Sequence, residues 1–151
     1  MRRLFPVTYE TADHEGREGL DGPGGPLGRE WSLDELADVY AYPAGAAGEV
    51  WLRANMVSTL DGAAQHDGRS QPISCPADMR IFGTLRALAD AVVVGAQTVR
   101  QEGYRPARVR DAFAARRKEA GQGPAPSIAV ISASLDLDFR LPLFTEPLAP
   151  T

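Results

Sequence analysis

Residues 76–95, PADMRIFGTLRALADAVVVG, constrain this chain more than any other stretch. Met79, Phe82, Leu85 and Ala89 recur at helical spacing, with Ile81 and Leu88 widening the stripe, and Pro76 suits a first helical position because its missing N–H would be unpaired there anyway. Ala91–Gly95 follows with almost no linker and is a short β-branched run, the mark of a buried strand. A helix feeding directly into a buried strand predicts an α/β fold with helices covering a sheet. Two further strands are expected. VWLRANMV, residues 50–57, alternates with Val50, Leu52, Ala54 and Met56 on one face, and SIAVIS, residues 127–132, is a second β-branched run. Strand, helix, strand in that order predicts a parallel pair with a right-handed crossover.

The remaining segments divide by composition. Residues 13–29 hold six glycines and two prolines and are read, within residues 1–30, as a flexible N-terminal segment. From Ser32, WSLDELADVYAYP predicts a short helix that docks on the main body, with Ser32 and Glu35 as a capping box and Pro43 as its stop. Residues 31–151 then form the structured portion. Arg108, Arg110, Arg116, Arg117 and Lys118 are expected on a solvated helix face, and Asp136 and Asp138, alternating with Leu135, Leu137 and Phe139, on a solvated strand face. Three strands leave open edges, and Leu141, Leu143 and Phe144 call for something further to bury them, so the fold is expected to be truncated at its C-terminus.

Composition excludes several function classes. A formal net charge of −4 argues against nucleic acid and anionic membranes as partners. A single cysteine, Cys75, rules out an internal disulfide and suits a reducing compartment; it is expected to be a buried structural thiol. No secretory signal or bilayer-length apolar run occurs, so a cytoplasmic location is expected. No metal site is expected from two histidines and one cysteine. Glycine-rich dinucleotide and phosphate loops, H-E-x-x-H and C-x-x-C are all absent, and GRSQP lacks the closing glycine of a nucleophile elbow.

What the chain does contain is an ordered series. RANMVSTLDGAAQHDGRSQPIS carries a D-G turn and a G-x-S loop; LRALADAVVVGAQTVR carries L-R and V-G-x-x-T-V-R; EGYRP follows. Over about residues 33–145 this series resembles the C-terminal reductase domain of bifunctional riboflavin-biosynthesis deaminase-reductases, and its stand-alone pyrimidine reductase relatives. The resemblance implies a dihydrofolate-reductase-like sheet flanked by helices. It implies NADPH as cofactor, a phosphorylated aminopyrimidine as substrate, hydride transfer that opens ribosyl to ribityl, and a homodimer when full length. Carried over by position, Ser70 and Arg86 bind substrate, the Arg86 fork taking the 5′-phosphate. Ala54, Asn55, Gly95, Thr98 and Glu102 meet the cofactor, and Asp61 is the polar anchor beside the reacting ribose.

Each residue has a plainer alternative. Asp61 shapes its own turn, Arg86 pairs with a carboxylate on its helix, and Thr98 caps a helix. Ser70 is an ordinary loop serine, and Glu102 is simply exposed. The sequence also departs from the family pattern: Pro72 stands where relatives often have an aromatic residue, and EGYRP replaces an acidic-acidic-proline pattern. No His/Cys zinc cluster is present, so deamination is not expected. Two other functions stay open at this point. One is a non-catalytic remnant that binds nucleotide or a partner, the other a reductase of the same fold acting on a different substrate.

Overall fold

The computed structural model describes residues 30–43 and 49–151. The glycine-rich tether of the sequence reading therefore lies outside the described residues, as do Gly45 and Gly48. Seven elements form in the order α1 (Leu33–Val39), α2 (Pro76–Leu88), β1 (Ala91–Gly95), α3 (Ala96–Glu102), α4 (Asp111–Glu119), β2 (Ser127–Ile131) and α5 (Pro142–Thr145), with a 3₁₀ turn at Gln71–Ile73. The sheet has two parallel strands in register from Ala91 opposite Ser127 to Gly95 opposite Ile131.

Local chemistry accounts for the helix ends. The Ser32 hydroxyl accepts from the Glu35 N–H at 3.2 Å, and the Glu35 carboxylate accepts from the Ser32 N–H at 2.8 Å, which completes the capping box. Pro76 opens α2, and Cys75 is its N-cap, with Sγ accepting from the Asp78 N–H at 3.5 Å. Cys75 is thus an exposed capping group and not the buried thiol expected. α3 ends at Gly103, whose φ of 61° is the left-handed conformation that glycine reaches without strain.

The core has two parts. Val94, Val99, Ala107, Ala125, Ile128 and Leu143 gather around the sheet, while Ala37, Ala87 and Phe113 join α1, α2 and α4. α2 turns its small side to this second cluster, burying Gly83, Thr84 and Ala87. The expected stripe of Met79, Phe82 and Leu85 instead lines a cleft. Thr84 tolerates full burial because its hydroxyl donates to the Arg80 carbonyl one turn back, at 3.0 Å.

Four expectations are corrected. Residues 50–57 form no ladder, and Val50, Leu52 and Met56 are 94%, 85% and 84% exposed. Alternation makes a strand only where a partner edge and an apolar layer receive it, and among the described residues β1 pairs with β2 instead. The parallel pair thus skips this segment and is joined through α3 and α4. Residues 135–139 are not a strand either: Leu135 has φ of 53°, and the Leu137 N–H donates to the Leu135 carbonyl at 2.8 Å, a tight bend no strand contains.

Arg117 does not belong to a solvated face. It is 4% exposed and donates from Nε to Gly123 O at 2.7 Å and from Nη1 to Ala87 O and Ala89 O, both at 2.8 Å. Finally, the C-terminal tail buries its own apolar residues. Leu143 is fully buried, Leu141 and Phe144 pack on the same core, and the Ile128 N–H donates to Pro150 O at 3.1 Å, occupying a free position on β2.

Candidate functional site

A cleft of about 690 Å³ opens between residues 51–57, α2, β1 and the end of α3. Its size lies within the range of small-molecule sites. Ala54 and Asn55 enter it from the extended segment, Ser70 from the loop before the 3₁₀ turn, Arg86 from α2, and Thr98 and Glu102 from α3. Six of the eight residues singled out in the sequence, spread from Ala54 to Glu102, therefore face one space. Trp51, Met56, Phe82, Leu85 and Val93 give it apolar walls. Asp61 and Gly95 are not among its lining residues; Gly95 closes β1 and is the N-cap of α3, and a Cβ there would meet nothing within 4 Å. Thr98 sits two residues inside α3 and is not its cap.

Two anchored polar groups shape the cleft. The Ser70 N–H and hydroxyl both donate to one Glu102 oxygen, at 2.8 and 3.0 Å, so α3 holds the G-x-S loop in place. Arg86 lies against the rings of Phe82 and Tyr104, its guanidinium carbon 5.4 and 5.1 Å from their centroids, and donates to the Tyr104 hydroxyl. The surface ion pair offered as its plainer role does not form with any described carboxylate. Behind Arg86 lies a second cavity of about 360 Å³, which shares Phe82, Arg86, Glu102 and Tyr104 with the first and adds Arg105, Arg108 and Arg110. Among the described residues no group of His, Cys, Asp and Glu is placed to hold a metal ion, and no helix is long and apolar enough to cross a membrane.

Residues 50–151 match the RibD C-terminal domain family, which is more than half of the chain. The chain belongs to the RibD C-terminal domain family. It is 34% identical over 94 residues to a 2,5-diamino-6-ribosylamino-4(3H)-pyrimidinone 5′-phosphate reductase from Archaeoglobus fulgidus, a match covering 62% of this chain and 41% of that protein. It superimposes on a pyrimidine reductase-like protein from Corynebacterium diphtheriae with a TM-score of 0.54 and 32% identity, over 62% of this chain and 39% of that one. The matched part therefore spans about two fifths of each relative's length. The α/β architecture is of the dihydrofolate-reductase-like kind that the family resemblance implied.

In this RibD C-terminal domain, Asp61 has a demonstrable local task. Its carboxylate accepts from the Thr59 hydroxyl, while the Thr59 N–H donates to Ala63 O at 2.9 Å and Gly62 closes the turn at φ 86°. The Thr59 hydroxyl, then the neighbouring N–H groups, hold the Asp61 carboxyl below its ordinary value of 3.8. A carboxyl lowered in the folded state stabilises the turn above pH 3.8, and that contribution is lost as pH falls through the folded value. The Asp61 side-chain carbon signal, followed by NMR, is therefore expected to titrate below 3.8; titration at or above that value would show that the turn does not hold the carboxylate.

Two groups of site residues escaped the sequence reading. Tyr104 was one position in a variant motif, with nothing local to show that it would reach α2. Arg108 and Arg110 stand in a general basic cluster with nothing local to set them apart. The signal that separates them is a glycine inside α2, three residues before Arg86.

Proposed function

We propose that this chain carries part of an NADPH-dependent reductase of riboflavin biosynthesis, one that converts the ribosyl group of a 5-phosphoribosylamino-pyrimidine to ribityl. The convergence of Ala54, Asn55, Ser70, Arg86, Thr98 and Glu102 on one cleft carries this reading. The cleft suits such a cofactor chemically: it offers apolar walls for a flat ring and, towards α3, a hydroxyl and a carboxylate for ribose hydroxyls. Asn55, Thr98 and Glu102 would hold the cofactor, with Glu102 shared between that task and Ser70. When bound, NADPH supplies the hydride.

The protein's own contribution is alignment and exclusion of water. Arg86, splayed between two rings, presents a planar fork suited to a phosphomonoester. The Ser70 hydroxyl spends its proton on Glu102, so towards the cleft it offers only lone pairs and accepts from a substrate hydroxyl. Phe82 and Leu85, the half-buried apolar walls of the cleft, shield the reacting carbon from water.

Trp51 also reports on the site, since it lines the cleft and is half exposed. Titrating the chain with NADPH is expected to change its tryptophan emission saturably, with NADH at least about tenfold weaker because it lacks the phosphate. A chain that circular dichroism shows to be folded, but whose emission responds to neither nucleotide, overturns the proposal.

A further inference from the structure

We propose that Gly83 is a positioning residue for phosphate recognition: by carrying no side chain, it seats the Arg110 guanidinium against α2 beside Arg86, so that two arginines converge on one phosphomonoester. The inference rests on the reading of Arg86 as a phosphate ligand.

A glycine in a helix interior costs stability relative to alanine, so its presence in α2 calls for a reason. The reason lies in what occupies the space. The three atoms nearest an added Cβ at residue 83 all belong to the Arg110 guanidinium, with Cζ and Nη2 at 2.7 Å and Nη1 closer still. No methyl group fits beneath that guanidinium. Residues 83 and 86 are one turn apart on the same face of α2, and both line the 360 Å³ cavity with Arg110. The Arg110 backbone is held independently, its carbonyl accepting from the Phe113 N–H at 2.8 Å at the start of α4. Only the flexible side chain has to move when residue 83 gains a Cβ.

The cavity also has the charge for the task. Arg86, Arg105, Arg108 and Arg110 all line it, and among the described residues none of them pairs with a carboxylate. The single carboxylate in its lining, Glu102, accepts both Ser70 protons. Four guanidinium groups without a described counter-ion favour a dianionic guest.

The test is calorimetric titration of the 151-residue chain with ribose 5-phosphate and, separately, ribose, using the wild type, Gly83→Ala, Arg110→Ala, Arg86→Ala and the Gly83→Ala/Arg110→Ala double variant. Gly83→Ala and Arg110→Ala are each expected to weaken ribose 5-phosphate binding about tenfold, with the double variant no weaker than Arg110→Ala alone. Ribose binding is expected to be unchanged, and the melting temperature of Gly83→Ala not to fall. If Gly83→Ala does melt lower, recovery of that loss in the double variant identifies Arg110 as the clashing group and supports the proposal; no recovery overturns it. Wild-type affinity in Gly83→Ala overturns the inference while a weak Arg86→Ala leaves the phosphate reading standing. Wild-type affinity in Arg86→Ala and Arg110→Ala together, or no binding of ribose 5-phosphate by the wild type, overturns both.

Discussion

Arg117→Ala is expected to destabilise the chain by about 3–5 kcal/mol, enough to remove much of the stability of an ordinary domain. The Arg117 guanidinium is the common donor to three carbonyls, Ala87 and Ala89 at the junction of α2 and β1, and Gly123 in the loop before β2. Truncation leaves those acceptors without a donor in a site that excludes water, and opens a cavity beside Phe113 and Ala87. Burial lowers the Arg117 pKa from its usual value and Asp90 partly restores it, yet the group stays charged at neutral pH. Arg117→Lys keeps a charge but cannot reproduce the fork, so about half the loss is expected there. Thermal melting followed by circular dichroism checks this: the midpoint is expected to fall by roughly 10–20 °C in Arg117→Ala. A shift within about 2 °C, the size expected of a surface substitution, would falsify the assignment of Arg117 as the clasp between helix, strand and loop.

The second large effect concerns ligand. On the proposed reading, Arg86→Ala is expected to weaken binding of a phosphoribosylamino-pyrimidine by about 2–3 kcal/mol, roughly 30- to 150-fold, through loss of a charge-assisted, forked contact. Arg86→Lys is expected to recover only part of this, because an ammonium neither forks nor stacks between Phe82 and Tyr104. Removing the phosphate from the ligand separates this role from a structural one. Wild type and Arg86→Ala are then expected to bind the dephosphorylated compound equally. An equal loss for both compounds would mean that Arg86 serves the fold of the cleft wall and does not meet phosphate.

These two arginines show where sequence reasoning ends. Neither Arg117 nor Arg86 carries a local mark of its fate. Arg117 stands among Arg116 and Lys118, and only the packing of α4 against α2 turns its side chain inward while Arg116 reaches out to Asp38 at 2.8 Å. Arg86 has its place in an L-R motif, yet its setting between two rings depends on Tyr104, which arrives from beyond α3.

What the sequence determined by itself were the features governed by neighbours a few residues apart. The Ser32–Glu35 capping box, the Pro76 start of α2, the extended run of β1 and the turn at Asp61-Gly62 all depend on spacings within one or two turns, and the structure contains each of them. β1 is nevertheless not the buried strand expected: only Val94 is buried, and Val93 faces the cleft. The motif series also sufficed to identify the family. The tertiary structure decided everything that depends on which surfaces meet. It left the alternating segment 50–57 without a ladder, because no described strand offers it an edge. It turned the apolar stripe of α2 towards a cleft, because the other side of α2 packs through Ala87 against Ala37 of α1 and Phe113 of α4. Periodicity states that a face is apolar; only packing states what that face is turned towards.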